Sequence, residues 1–139
     1  MEDGRERPER RKSERIDAAF TLIYNVEKPY ALSVSFGLAD EKDALMVNLS
    51  DLGVAIITKH NIPVGTQLHI KFNIIDLHLT GEERIRRMDL IGETVSNTAI
   101  KDISHRIGIR FDKILEVDKA AIRDFLKRNK FPPDAAKGA

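Results

Sequence analysis

Apolar and polar residues alternate along most of this chain. Phe20, Leu22, Tyr24 and Val26 are separated by Thr21, Ile23 and Asn25, and Tyr30, Leu32, Val34 and Phe36 by Ala31, Ser33 and Ser35. A period of two places each apolar set on one face of a pleated strand. Glu27-Lys28-Pro29 suits a turn between the two runs. The clearest alternation covers residues 67–74, where Leu68, Ile70, Phe72 and Ile74 oppose Gln67, His69, Lys71 and Asn73. Pro63-Val64-Gly65 is a turn signal just before it. Residues 44–49 and 54–58 read as two further strands joined through Ser50-Asp51-Leu52-Gly53. Residues 77–80, 88–96 and 107–111 complete the strand set, with Gly81-Glu82-Glu83-Arg84 as a polar loop. No internal repeat stands out.

The period then changes. Ile122, Phe125 and Leu126 recur at helical spacing, with Arg123, Asp124 and Lys127 opposite. Asp118 is the candidate N-cap, and Phe131-Pro132-Pro133 ends the helix. Short strands followed by one amphipathic helix predict a closed or nearly closed antiparallel barrel, plugged or flanked by that helix. The 139 residues suffice for one core and not two.

Composition narrows the function. Hydrophobic residues make up 42% and charged residues 32%, as in a globular protein. There is no cysteine, which excludes disulfides, thiolate metal sites and a cysteine nucleophile. No apolar run approaches the ~18 residues of a membrane span, and the charged start MEDGRERPERRKSER does not resemble a secretory signal, so a cytoplasmic protein without membrane insertion is expected. A formal net charge of +1 argues against a general nucleic-acid binder. A single-stranded nucleic-acid-binding barrel would need aromatics on an exposed sheet face. Here they fall mostly in the apolar phase of their strands.

Catalytic chemistry finds no foothold. His60, His69, His78 and His105 lack metal-ligand spacing and read as surface residues. There is no nucleophile elbow and no glycine-rich phosphate loop. The expectation is a protein with no catalytic residues, no metal site and no cofactor.

Two short motifs remain. Arg11-Lys12-Ser13-Glu14-Arg15 is an RxxxR pattern, which Arg7 to Arg11 and Arg106 to Arg110 also satisfy. Asn48-Leu49-Ser50-Asp51-Leu52-Gly53 is an NxSxxG pattern in a strand-to-strand connection. Alone, the second reads equally as a polar turn, with Asn and Ser capping backbone groups and Gly supplying positive φ. In this order and separation, both resemble the PilZ domain. Ile62-Pro63-Val64-Gly65-Thr66, Ile91-Gly92-Glu93-Thr94-Val95 and Arg106-Ile107-Gly108-Ile109-Arg110-Phe111 are similar to later parts of the same family.

The resemblance implies a mainly β fold: a six-stranded antiparallel barrel with a C-terminal helix and a flexible N-terminal arm. It divides the chain into a tail over 1–9, a PilZ domain over 10–131 and a disordered tail over 132–139. The implied ligand is cyclic di-GMP, clamped between Arg11 and Arg15 on the arm and Asn48, Ser50 and Gly53 on the barrel. Arg10, preceding the first motif, goes in the family with two stacked ligand molecules per chain. An arginine fork suits both phosphate oxygens and the guanine O6/N7 edge. Asn48 and Ser50 offer short hydrogen-bonding groups, and Gly53 lets the backbone turn and leaves room for close approach. The implied function is a receptor that changes conformation on binding and signals to an effector protein. The alternative is an interaction adaptor of the same fold that binds no nucleotide. The sequence departs from the family at Ser96-Asn97, where many members carry a stacking aromatic or arginine, and over residues 27–43, whose length predicts an extra or extended hairpin.

Overall fold

The computed structural model describes residues 20–31, 40–101 and 103–129. Six strands are formed: β1 (Thr21–Lys28), β2 (Lys42–Leu49), β3 (Gly53–Thr58), β4 (Gln67–Ile75), β5 (Ile85–Ala99) and β6 (His105–Phe111). They close into an antiparallel barrel in the order β1-β2-β3-β6-β5-β4. Helix α1 (Glu116–Arg128) follows β6. Among the described residues no helix is long and apolar enough to cross a membrane.

The alternation of the sequence becomes the inside and outside of this barrel. Leu22, Tyr24 and Val26 of β1, and Leu68, Ile70, Phe72 and Ile74 of β4, are all buried. Phe72 stacks on Phe111 of β6, with ring centroids 6.5 Å apart. The interior hydroxyl of Tyr24 is satisfied by Thr58 Oγ1 at 2.8 Å and His60 Nδ1 at 2.9 Å, as a buried polar atom requires. Burial pushes the His60 imidazole below its usual range, and the positive charges of Lys42 and Lys59 add to the effect. The turn before β4 is pinned by Thr66 and Thr94, whose hydroxyls both donate to the Pro63 carbonyl, at 2.7 and 2.6 Å. Gly65 takes φ +95 there, a conformation natural only to glycine.

One expected strand does not form, and another lies mostly outside the described residues. Tyr30 and Ala31, at the start of the latter, are helical; residues 32–39, with the rest of the expected hairpin, lie outside the described residues. Residues 77–80 form a turn because Asp76 captures the chain: its carboxylate accepts the His78 N–H at 3.0 Å and its carbonyl the Leu79 N–H at 3.1 Å. A short 3-10 turn, Gly81–Arg84, leads into β5. β5 starts earlier and ends later than its apolar pattern, since its two halves serve different neighbours: residues 85–93 pair with β4 and 92–99 with β6.

Helix α1 covers the barrel end where β2 and β4 finish. Ile122 and Phe125 enter the core, each worth roughly 1.5–3 kcal/mol of burial. Asp118 is not the N-cap. The helix begins at Glu116 after Leu115, and Asp118 accepts from Arg86 Nη2 at 2.6 Å. At the other end, Arg128 Nε and Asn129 Nδ2 donate to the buried Asp76 carboxylate at 2.7 and 3.1 Å. Burial alone would raise this carboxyl, but the bonds from Asn129, Arg128 and the His78 N–H, with the Arg128 charge, hold it below its ordinary value.

Asp76→Ala is therefore expected to cost about 2 kcal/mol at pH 7, from donors left unpaired. Because the folded-state pKa is depressed, this contribution is present above the ordinary carboxylate pKa of ~3.9 and is lost as pH falls through the folded value. Urea titrations should show the wild type and variant converging in stability as pH falls below the ordinary carboxylate value. A gap that keeps its size throughout the acid range would contradict this role.

Candidate functional site

The NxSxxG segment lies at the helix-covered end, where β2 hands over to β3. Strict alternation from Ala44 and Met46 would turn Asn48 inward. A β-bulge at Val47, between the pairs Met46↔Ile56 and Asn48↔Ala55, reverses the phase. Leu49 therefore goes into the core and Asn48 outward, the re-aiming that bulges perform. In the connection, Ser50 N–H donates to the Gly53 carbonyl at 2.9 Å. Ser50 Oγ accepts from the Leu52 and Gly53 N–H groups at 3.1 and 3.3 Å. The hydroxyl thus fixes the turn, and its own proton has no acceptor among the described residues. The Asn48 amide likewise makes no hydrogen bond among them.

Gly53 does not hold a positive φ; among the described glycines, that belongs to Gly65 and Gly81. Glycine is required at 53 by close approach. A Cβ there would lie 2.2 Å from the Ile109 carbonyl oxygen on β6. The reading of the motif as a turn holds: these atoms build a tight connection, and they leave the Asn48 amide and the Ser50 hydroxyl exposed.

These residues line a depression of about 360 Å³ on the outer face of the barrel, shared by Asn48, Ser50, Leu52, Gly53, Ala55, Val95, Gly108 and Arg110. Val95 faces out towards it in the alternation of β5, and a second bulge, between Thr94 and Ser96, leaves Ser96 on the outer face as well. Of the stretch that departs from the family pattern, Asn97 points elsewhere, donating to Asn61 Oδ1 and the Ile62 carbonyl at 2.7 and 2.9 Å, whereas the Ser96 hydroxyl lies over Gly108. Val95 is the apolar β5 side chain that lines the depression. Asp51, inside the motif, faces away and accepts from Arg123 Nη1 of α1 at 2.7 Å, linking loop to helix. A larger hollow of about 580 Å³ lies across β1, β4 and β5, but none of the motif residues borders it.

The arm residues Arg10, Arg11 and Arg15 lie outside the described residues, as do the tails 1–9 and 132–139. Where the chain enters the described structure is nonetheless informative. β1 pairs with β2 from Thr21↔Leu45, and Met46 N–H donates to the Phe20 carbonyl at 2.7 Å. The chain therefore enters β1 beside Met46, two residues from Asn48.

The histidines are less exposed than expected. Only His78 is fully on the surface; His60, His69 and His105 are half-buried. His69 bonds to Asp89, with Glu27 at 3.8 Å, and His105 to Asn97 at 3.2 Å. None lines the depression. Among the described residues, no group of three or more His, Asp or Glu side chains is placed to hold a metal ion.

A family model described as the PilZ domain matches residues 9–128. No curated protein matches the chain. Among solved structures, the chain is similar to the Bacillus subtilis inhibitor of motility (MotI/DgrA), with a TM-score of 0.56 and 17% sequence identity. That likeness covers 81% of this chain and 47% of the other, so this chain spans about half of that protein's length. At that identity it speaks for the fold. With the family model covering most of the sequence and the barrel carrying the motif, the chain belongs to the PilZ domain family.

Proposed function

We infer that this protein is a non-catalytic, cytoplasmic receptor for cyclic di-GMP, in which the N-terminal segment bearing Arg10, Arg11 and Arg15 and the barrel residues Asn48, Ser50 and Gly53 close on the ligand together. The observation that carries this reading is the delivery of the chain to the motif. Phe20 is bonded beside Met46, and the five residues back to Arg15 reach up to ~17 Å. Asn48 and Ser50 lie within that reach along β2.

The chemistry fits the ligand. Two phosphodiesters and two guanines ask for planar cations and short polar groups, and none of these residues needs to break a bond. Arg11 and Arg15 supply forks that bind phosphate bidentately or match the guanine edge. Asn48 supplies two donors and an acceptor, and Ser50 a hydroxyl proton with no acceptor among the described residues. Ligand brings the arm against the barrel end, beside the loop that Asp51 ties to α1. The altered surface is then read by an effector protein. No cofactor is needed.

Titration calorimetry tests this. Cyclic di-GMP should bind in the micromolar range or tighter, and GTP and cyclic di-AMP much more weakly, because both phosphates and both bases are engaged at once. Equal binding of GTP, or no binding of cyclic di-GMP, would leave an interaction adaptor of the same fold. The end point also reads Arg10. A third arm cation supports two stacked ligands carrying four phosphates, so two molecules should bind per chain and Arg10→Leu should reduce this to one. A single-ligand end point for the unmodified protein would reject that role of Arg10 and leave the site standing.

A further inference from the structure

The floor of the depression is small side chains and backbone. Two rows of outward-facing positions cross it. In one, Asn48 pairs with Ala55, Ala55 with Gly108 and Gly108 with Ser96; in the other, Gly53 pairs with Arg110 and Arg110 with Glu93. Gly53, Ala55 and Gly108, with the Ser96 hydroxyl lying over Gly108, leave a shallow floor. Asn48 and Ser50 stand on one side, Arg110 and Val95 on the other, and Leu52 projects at the rim with 66% of its surface exposed. Such a floor suits the face of a purine better than a phosphate, which would find few donors there.

Arg110 is the cation lining this depression among the described residues. Ile109 and Phe111 beside it are buried, which fixes its side chain on the outer face. Its guanidinium is half exposed and held lightly. One Nη donates to Glu93 at 3.0 Å, and Asp112 is at 3.9 Å. Exposed pairs of this kind are worth little and re-form easily, so most of the fork's five donors remain available.

We propose that Arg110 is a specificity-determining residue of this site: a guanine lies over the Gly53–Ala55–Gly108 floor, and Arg110 exchanges Glu93 for the guanine O6/N7 edge. This rests on the receptor reading above and adds to it a base-reading cation from the barrel, opposite the polar motif and independent of the arm. Adenine offers N7 beside an amino donor, so the same fork cannot grip it bidentately.

The experiment is competition of unlabelled cyclic di-GMP and cyclic di-AMP against a fluorescent cyclic di-GMP, so that weak binders are still measured. It compares the unmodified protein, Arg110→Ala and Arg110→Lys. Arg110→Ala should bind cyclic di-GMP about 10-fold or more weakly, with cyclic di-AMP little changed, so the preference between them shrinks. Arg110→Lys, which keeps charge but not the planar fork, should not restore that preference. Melting without ligand should stay near the unmodified value, since the Glu93 pair is exposed. An unaltered affinity in Arg110→Ala, an equal loss for both dinucleotides, or full rescue by lysine would overturn the assignment. If the unmodified protein fails to displace the probe with cyclic di-GMP, the receptor reading itself falls, which is a different result from loss in the variants alone.

Discussion

Gly53→Ala is expected to lower the melting temperature of the unliganded protein by roughly 10 °C, and Gly53→Val to lower it further. The new Cβ would stand 2.2 Å from the Ile109 carbonyl oxygen and 3.2 Å from Arg110 Cα. The obstacle is backbone in β6, held by the register Gly53↔Arg110 and Val54↔Ile109. It cannot swing aside as a flexible side chain would, so the strands must part where β3 begins. Overpacking of this kind costs about 3 kcal/mol, and a domain of this size loses about 3 °C per kcal/mol. The same displacement moves the N–H groups of Leu52 and Gly53 off Ser50 Oγ, so ligand affinity should fall with stability. Gly65→Ala is the useful contrast. Its φ of +95 makes a side chain strained, but nothing lies within 4 Å of the added carbon. It should cost only about 1–2 kcal/mol of backbone strain and leave ligand binding unchanged. A Gly53→Ala protein that melts like the unmodified one would contradict the close-approach account.

Arg11→Ala and Arg15→Ala are expected to show the opposite division. Each should weaken cyclic di-GMP binding by about 10-fold to 100-fold, as expected for charge-assisted hydrogen bonds worth roughly 1.5–3 kcal/mol. Melting without ligand should barely move, because the core cluster among the described residues is built from the barrel and α1 and exposed charges contribute little. Double substitution should fall short of the sum if both arginines grip one ligand together. Calorimetry on the three variants reads this directly, and unchanged affinity in both single variants would remove the arm from the site.

How far this could be read in advance depends on whether the deciding interaction is local. The faces of β1 and β4 follow from strict alternation, and Leu22, Tyr24, Leu68 and Ile70 went where period two puts them. Ile122 and Phe125 likewise follow the helical period. Irregularity is harder. The bulges at Val47 and Val95 reverse the phase of their strands, and the only local sign is that Leu49 falls out of step with Ala44 and Met46. Asp118 as a cap, and residues 77–80 after Asp76 as a strand, were misread for a related reason. An acidic residue at an element boundary has a local use in turns and caps, yet here both are claimed by arginines distant in sequence, Arg128 and Arg86. Asn48, Ser50 and Gly53 were legible as a motif, but the reason for the glycine lies in the Ile109 carbonyl of another strand. Arg110 was visible as a chance match to an arginine spacing and as part of the closing strand, not as a site residue. Its place opposite Gly53 exists because β3 pairs with β6, a contact between segments more than fifty residues apart that no local pattern encodes.

The measurement closest to the central claim is the melting temperature with and without cyclic di-GMP for the unmodified protein, Arg11→Ala and Arg15→Ala. A ligand that binds the native state raises the melting temperature by mass action, in proportion to the logarithm of its concentration over Kd. If arm and barrel clamp the ligand together, the unmodified protein should gain clearly at saturating ligand. Both variants should start from the same unliganded melting temperature and gain several degrees less. Full retention of the ligand-induced shift in both arginine variants, or no shift in the unmodified protein, would contradict the account.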